Sequence, residues 1–232
     1  FLALQDHTRV ITQLRDNEDK ARLAATLLLT SPGVPFLWYG EEIGMRGSTP
    51  DVFIRRPMQW ANQRAAGFTS GRPWMDVDLN YDVVNVADQS TDPDSLLSHY
   101  KRLIRLRTTY SSLRTGAWLP LKTTDPAVYA YLRHDAKSSI VMVLNLGAQG
   151  SVSCALSAEA SPLLEGSHEI ADLLAESALR PVTVTQAGAF TNWVPLELLQ
   201  SDYDTSPLYV FYDDNQNLYS RAGTFPIRDE PF

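Results

Sequence analysis

The sequence predicts a parallel α/β fold over the first half of the chain and an antiparallel β-sandwich over the second. Strand and helix signals alternate up to about residue 115, and this alternation is the repeating pattern of parallel α/β folds. From Trp118 onward, short apolar segments are separated by turns, which is typical of a β-sandwich. The change of pattern divides the 232 residues into two predicted units, 1–115 and 116–232.

The first unit opens with a predicted buried strand over residues 1–6. Asn17 can then cap a helix that continues through Ser31 and is ended by Pro32 and Gly33. The apolar run 34–39 lies between two glycines and predicts a second buried strand. The predicted apolar face of the helix consists of Ala21, Ala24, Leu27 and Leu28.

A long excursion over residues 41–91 separates the second strand from the next helix. It is too long for a plain connector, so we expect it to have a functional or capping role. The sequence Asp92-Pro93-Asp94 then predicts a helix start. The apolar stripe of that helix consists of Leu96, Leu97, Tyr100, Leu103 and Ile104. In the second unit, strands are predicted over residues 128–133, 140–146, 152–156, 182–184 and 208–212.

The composition excludes several classes of function. With 44% hydrophobic and 20% charged residues, the chain has the composition of an ordinary globular protein. No apolar run approaches the roughly 20 residues that span a bilayer, which argues against a membrane protein. The net charge of -7, without a basic stripe, argues against a nucleic-acid partner. The single cysteine, Cys154, excludes an internal disulfide and a cysteine-cluster metal site, and its apolar flanks predict a core thiol.

Three polar residues lie at or just after the carboxyl end of the first predicted strand. In a parallel barrel the active site is built at the carboxyl ends of the strands, so Gln5, Asp6 and Arg9 are placed to face a substrate. The alternative is a local ion pair between Asp6 and Arg9 at the start of a loop. Because the chain starts at Phe1, directly on this strand, we expect it to be a truncated piece of a longer protein.

Five motifs, taken in order, resemble the carboxyl-terminal third of the α-amylase family, glycoside hydrolase family 13. They are FLALQDHTRV at 1–10, SPGVPFLWYGEEIGM at 31–45, IRRPMQW at 54–60, GFTSGRPW at 67–74 and SLLSHYKRLIRLR at 95–107. The resemblance implies a (β/α)8 barrel in which 1–6 is the seventh strand, 34–39 the eighth and 95–107 the last helix. It also implies that the part after Trp118 is the β-sandwich that typically follows the barrel.

The resemblance implies a role for each of the three polar residues. Asp6 is the third catalytic carboxylate, which holds sugar hydroxyls beside the scissile bond, while Gln5 and Arg9 bind substrate. Arg9 can also keep Asp6 ionised, because a nearby opposite charge favours the charged form. The family pattern is Asn-His-Asp, whereas this chain has Leu4, Gln5 and Asp6, and glutamine can donate a hydrogen bond but cannot become charged. The nucleophile and the acid/base of the family are expected upstream of Phe1.

Other motif residues have plainer interpretations. His7 is predicted to be a loop residue, because it lies on the other side of Asp6 from the family histidine. Glu41 and Glu42 are predicted to anchor loops by accepting backbone or arginine hydrogen bonds. Arg55 and Arg56 are expected to brace the long loop. The aromatic residues Trp38, Tyr39, Trp60 and Trp74 could stack on sugar faces, but aromatics at loop bases are at least as often core. One of Trp60 and Trp74 is expected near the cleft rim.

The leading hypothesis is a retaining enzyme that hydrolyses α-glucosidic bonds of maltooligosaccharides or short α-glucans. The alternatives are a transglycosylase or disaccharide isomerase of the same family, and a relative that has lost catalysis and serves as a carbohydrate-binding or interaction subunit. No cofactor is evident in these residues, and the calcium ion common in the family has its usual ligands elsewhere. The isolated chain is expected to be inactive, because two strands of eight cannot close a barrel.

Overall fold

Helices occupy the first half of the chain and strands the second. The computed structural model describes residues 2–147, 153–174, 180–195 and 208–211. The helices are α1 (Val10–Gln13), α2 (Glu18–Thr30), α3 (Asp51–Ile54), α4 (Val86–Thr91), α5 (Leu96–Thr109) and α6 (Ser111–Thr115). The strands are β1 (Ala117–Pro120), β2 (Lys122–Thr123), β3 (Val128–His134), β4 (Ser139–Asn145), β5 (Leu156–Ala158), β6 (Gly166–His168), β7 (Ile170–Asp172), β8 (Val182–Val184), β9 (Phe190–Trp193) and β10 (Leu208–Phe211). Within the described ranges, no helix combines the length and apolarity that crossing a membrane requires.

The two long helices α2 and α5 form as predicted and pack against each other, although α5 starts at Leu96 and not at the predicted Asp92-Pro93-Asp94. The side chain of Asn17 accepts a hydrogen bond from the backbone N–H of Lys20 at 2.8 Å and caps α2. Ser95 caps α5 in the same way by accepting from the N–H of Ser98 at 3.1 Å. These side chains satisfy backbone donors that have no partner inside the helix. The core between the helices contains Ala21, Ala25, Leu29, Leu96, Tyr100 and Leu103.

The predicted apolar faces of both helices need correction. Ala24 and Leu28 are only half-buried, and Ile104 is 41% exposed. The buried stripe of α2 lies one position further along, because this helix contacts two surfaces at once. Its Ala25 side packs on α5, and its Leu27 side packs on the sheet of the second unit.

The two predicted barrel strands do not form in this structure. Residues 2–4 and 34–38 lie outside regular secondary structure, and residues 5–7 form a turn. A parallel strand exists only where neighbouring strands complete its hydrogen-bond ladder, and the described part of residues 2–116 contains no strand. Val34 is accordingly 77% exposed.

The excursion over residues 41–91 is folded rather than extended. It contains α3, α4 and short 3-10 helices at Glu41–Ile43, Arg64–Gly67 and Leu79–Asp82. A buried cluster of Ile43, Met45, Met58 and Leu97 fastens it to the start of α5. The excursion is therefore held at a fixed position beside the helices.

All strand pairs in the second unit are antiparallel, as predicted. A five-stranded sheet has the order β1-β3-β4-β10-β7, a three-stranded sheet has the order β2-β5-β9, and β6 pairs with β8. The predicted strands at 128–133, 140–146, 182–184 and 208–212 agree with β3, β4, β8 and β10 within one residue at each end. The predicted strand at 152–156 is wrong, because residues 153–155 are irregular and β5 starts at Leu156, while residue 152 lies outside the described residues.

The five-stranded sheet is covered on both faces. On one face Leu132, Val141 and Val143 share a core with Leu156 and Phe190 of the three-stranded sheet. The predicted core thiol of Cys154 lies in this core and is confirmed as buried. On the other face, a second cluster joins the sheet to the helices and includes Tyr131, Ile140, Met142, Leu113 and Leu27.

Polar contacts at the end of α2 reinforce this second contact surface. Arg133 of β3 donates from Nη1 to the carbonyl oxygen of Thr30 at 2.8 Å, and Arg107 of α5 donates to that of Leu29 at 2.7 Å. The hydroxyl groups of Tyr131 and Thr30 lie 2.7 Å apart. Because the last carbonyls of a helix lack intrahelical partners, these bonds fix the end of α2 to both the sheet and α5.

Candidate active site and aromatic pocket

Asp6 lies on an exposed turn formed by Gln5, Asp6 and His7. The turn is closed by a hydrogen bond from the N–H of His7 to the carbonyl oxygen of Leu4 at 3.1 Å. Oδ1 of Asp6 lies 3.2 Å from Nδ1 of His7. The prediction that His7 is a loop residue is confirmed. The turn presents the side chains of Gln5, Asp6 and His7 to solvent, and the substrate contacts of Gln5 and Asp6 stay predictions.

Arg9 is fully buried beneath this turn and does not form the expected ion pair with Asp6. Its Nη1 instead donates to the carbonyl oxygen of Tyr39 at 2.6 Å and to Oε1 of Glu41 at 3.2 Å. Its Nε donates to the carbonyl oxygen of Ile54 at 3.0 Å. The physical reason is that the chain turns inward after His7, so that Arg9 begins α1 and faces the 41–54 segment. Its predicted substrate contact stays a prediction.

Glu41 completes the buried pair and anchors the loop, as the sequence predicts. Oε2 accepts the N–H of Val10 at 3.2 Å, while Oε1 accepts from Arg9. Burial raises the pKa of Glu41 above its ordinary value, and the charge of Arg9 and the N–H of Val10 oppose that rise. Burial also lowers the pKa of Arg9. The guanidinium lies 4.9 Å from the centre of the Tyr39 ring, so an aromatic face also contacts the charge.

The two arginines of the IRRPMQW motif brace the excursion, as expected. Arg55 donates from Nε to the carbonyl oxygen of Gln5 at 2.9 Å and from Nη2 to Asp51 at 2.7 Å. Arg56 forms an ion pair with Asp78. Arg55 therefore joins the turn that carries Asp6 to the long loop.

A pocket of about 280 Å³ opens beside Arg55 in the described part of the chain. Trp60 and Trp74, which are 49% and 60% exposed, both line this pocket, whereas only one of them was expected near a cleft rim. Phe68 is a pocket residue that the sequence reasoning missed, although it lies in the GFTSGRPW motif that follows Trp60. We call this site the aromatic pocket; its principal lining residues are Tyr39, Glu42, Arg55, Trp60, Phe68 and Trp74.

Backbone hydrogen bonds within the loop hold the aromatic side chains in place. The N–H groups of Trp60 and Ala61 both donate to the carbonyl oxygen of Ala66, at 2.8 and 3.1 Å. Gly67 has φ of 71°, and a Cβ at this position would lie 2.7 Å from Nε2 of Gln63. A side chain is therefore disfavoured there by the positive φ, whereas Nε2 of Gln63 ends a flexible side chain that can move aside. This tight loop places Trp60 and Phe68 on the same pocket.

The described residues contain no group of three or more His, Cys, Asp or Glu side chains that could hold a metal ion.

Residues 1–116 match the family model of the alpha-amylase catalytic domain. The chain belongs to the alpha-amylase family. The predicted family is thereby confirmed, over half of the chain.

Curated members of the alpha-amylase family extend the match. Alpha-amylase 3 of Dictyoglomus thermophilum is 35% identical over 146 residues, which cover 63% of this chain and 29% of the relative. Probable oligo-1,6-glucosidase 2 of Bacillus subtilis is 29% identical over 193 residues, covering 66% of this chain and 34% of the relative. The chain thus spans about a third of the length of these curated relatives.

Solved structures give the same result at the level of the fold. The alpha-amylase from H. orenii superposes with a TM-score of 0.65 at 29% identity, covering 91% of this chain and 39% of that one. Trehalose-6-phosphate hydrolase of Bacillus licheniformis superposes with a TM-score of 0.64 at 20% identity, covering 91% and 42%. The second likeness shows a shared fold alone.

Proposed function

We propose that this chain is part of a retaining glycoside hydrolase that acts on α-glucosidic bonds of maltooligosaccharides or short α-glucans. The observation that carries the proposal is the exposed turn of Asp6 within the segment that matches the alpha-amylase catalytic domain. Arg55 donates to the carbonyl oxygen of Gln5 in the turn, and the buried pair of Arg9 and Glu41 follows the turn along the chain. The names of the curated relatives, alpha-amylases and oligo-1,6-glucosidases, support this class of substrate.

The proposed architecture has two units, 1–115 and 116–232. Residues 1–6 and 34–39 are the seventh and eighth strands of a (β/α)8 barrel in the whole protein, and α5 is its last helix. The second unit is the β-sandwich. Two observations support the boundary: the family match ends at residue 116, and β1 starts at Ala117.

In the proposed mechanism Asp6 is the carboxylate that grips ring hydroxyls beside the scissile bond. The transition state of glycoside cleavage places positive charge on a flattened ring, so a negative acceptor that holds the ring stabilises it more than the ground state. Gln5 donates its amide to a neighbouring hydroxyl, where the family has a histidine. Arg9 supports the turn from within, and a contact from it to substrate is part of the same proposal. The nucleophile and the acid/base come from residues outside 1–232.

The test is an Asp6→Asn substitution in the intact protein, with hydrolysis of maltotriose as the measurement. Loss of the negative charge should lower kcat/KM by about 100- to 1,000-fold, as for other groups that stabilise developing charge. Because the side chain is exposed, the melting temperature should not change. Asp16→Asn is the matched control, since Asp16 is also exposed and pairs with Arg46 at the surface.

Two results of this experiment would refute parts of the proposal. Full activity of the Asp6→Asn protein would remove Asp6 from the mechanism. Products that are longer saccharides or isomerised disaccharides, in place of glucose and maltose, would favour the transglycosylase or isomerase alternative over hydrolysis.

A further inference from the structure

We propose that His7 is a positioning residue of the proposed glycoside hydrolase: its Nδ1–H donates to Oδ1 of Asp6 and holds that carboxylate in the orientation that grips a sugar ring. The inference rests on the proposed function, because Asp6 is the group through which His7 acts. His7 itself does not need to touch the substrate for this role.

The contact between the two side chains is direct. Nδ1 of His7 lies 3.2 Å from Oδ1 of Asp6, which is within the usual range of an N–H···O hydrogen bond. An ionised carboxylate can only accept hydrogen bonds, so the imidazole nitrogen in this contact carries the proton. Over the described residues, no lysine or arginine forms an ion pair with Asp6. His7 is therefore the basic side chain that can orient this carboxylate within the described part of the chain.

The backbone that carries the two side chains is anchored on both sides. Nε of Arg55 donates to the carbonyl oxygen of Gln5 at 2.9 Å, and the N–H of Arg9 donates to the carbonyl oxygen of Gly47 at 2.8 Å. Only residues 6–8 lie between these anchors. The freedom that remains is in the side chains, because the last torsion of an aspartate has a broad distribution. One hydrogen bond from a neighbour on the same anchored turn narrows that distribution.

The exposure of the pair favours an orienting role over a stabilising one. The side chains of His7 and Asp6 are 52% and 60% exposed, and such solvent-exposed pairs contribute little to the stability of a fold. An imidazole in its neutral form also leaves the negative charge on the carboxylate, whereas a lysine or arginine at the same place would offset it. The proposed mechanism uses that charge against the positive charge of the flattened ring.

The experiment measures hydrolysis of maltotriose by the intact protein with His7→Asn, His7→Gln and His7→Leu. Nδ2 of asparagine is bonded to Cγ, as Nδ1 of histidine is, so His7→Asn keeps a donor at the same place. His7→Gln moves the donor one bond further out, and His7→Leu removes it. His7→Leu should lower kcat about 5- to 10-fold, the value of one hydrogen bond, and should change KM by less than about 2-fold.

The other two variants separate orientation from a general effect of substitution. His7→Gln should resemble His7→Leu, whereas His7→Asn should restore kcat to about 3-fold or more above either of them. The melting temperature should be the same for all three variants, because the pair is exposed.

Each outcome separates this inference from the proposed function. Equal kcat for the unmodified protein and His7→Leu would overturn the inference and leave the hydrolase intact. Equal losses in all three variants, or losses that follow a fall in melting temperature, would also overturn it, because they indicate a role in the local fold. If the intact protein does not hydrolyse maltotriose, the proposed function fails, and calorimetric affinity for maltotriose replaces kcat as the measurement. Tighter binding by His7→Asn than by His7→Gln and His7→Leu then supports the orienting role, and equal affinities or no binding overturn it.

Discussion

Arg9 forms a buried ion pair with Glu41, which the spacing of the Asp6–Arg9 motif does not predict. Asp6 and Arg9 are three residues apart and look like partners, yet the buried partner of Arg9 is 32 residues away. Two charged groups that are buried together are stable only when they pair and form further hydrogen bonds. The carbonyl oxygens of Tyr39 and Ile54 and the N–H of Val10 provide these bonds. The pair therefore fixes the turn of Asp6 against the 41–54 segment.

A Glu41→Gln substitution should strongly destabilise the intact protein. It leaves the charge of Arg9 buried without a counter-ion, which costs about 3–5 kcal/mol for buried pairs in general. Thermal unfolding followed by circular dichroism is the measurement. Glu159→Gln breaks the solvent-exposed pair with Lys122 and should leave the melting temperature unchanged. Equal melting temperatures for the two variants would show that the buried pair does not stabilise the fold.

At the scale of elements, the contact between α2 and α5 contains a buried histidine. Nε2 of His99 lies 3.0 Å from Oγ1 of Thr26 and 3.2 Å from the carbonyl oxygen of Arg22. Thr26 itself donates to the Arg22 carbonyl, so both neighbours of Nε2 act as acceptors and the neutral ring carries its proton there. Burial lowers the pKa of His99 from 6.5 to about 4, and the charges of Arg22 and Arg102 act in the same direction.

The helix pair should therefore weaken in acid. Between pH 6.5 and about 4 the unfolded state holds a proton on His99 that the folded state does not, so the free energy of unfolding falls as pH falls. The full loss is about 3 kcal/mol. Melting temperatures between pH 7.5 and 4.5 should fall more steeply for the unmodified protein than for His99→Gln, which cannot titrate. Parallel pH profiles for the two proteins would contradict the assignment.

At the scale of the whole molecule, the five-stranded sheet connects the two units because both of its faces are covered. The helices cover one face through Tyr131 and Met142, and the three-stranded sheet covers the other through Val141 and Val143.

Residues 34–39, in contrast with this sheet, form an apolar segment that is not covered. They are apolar, yet Val34 and Phe36 are mostly exposed, because the described residues provide no strand beside them.

Residues 1–232 alone should hydrolyse no maltotriose, whereas the intact protein should release glucose and maltose. Retaining cleavage needs a nucleophile and an acid/base about 5 Å apart, and we place both outside this segment. A glucose-release assay on both proteins at equal concentration is the measurement. Turnover by residues 1–232 would show that Asp6 is not the third carboxylate of a site whose nucleophile and acid/base lie outside this segment.

Local signals predicted the parts of the fold that depend on neighbouring residues. The cap Asn17 and the long strands β3 and β4 are correct within one residue, whereas α5 was predicted to start at Asp92-Pro93-Asp94 and is instead capped by Ser95. The short strands β1, β2, β6, β7 and β9 were missed, because two to four residues are too few to show alternation. The apolar face of α2 was misplaced, because one helix packs on two surfaces and only the tertiary structure sets the angle between them.

The sequence by itself determined the family, the two long helices α2 and α5 and the residues that carry the proposed chemistry, because motifs, caps and apolar periodicity are local properties. Only the tertiary structure decided the partner of Arg9, the association of Trp60, Phe68 and Trp74 with Glu42 in one pocket, and the failure of 34–39 to form a strand. Each of these depends on which distant segments are close in space. Side-chain burial, ion pairing and strand ladders all require such partners, and no local pattern specifies them.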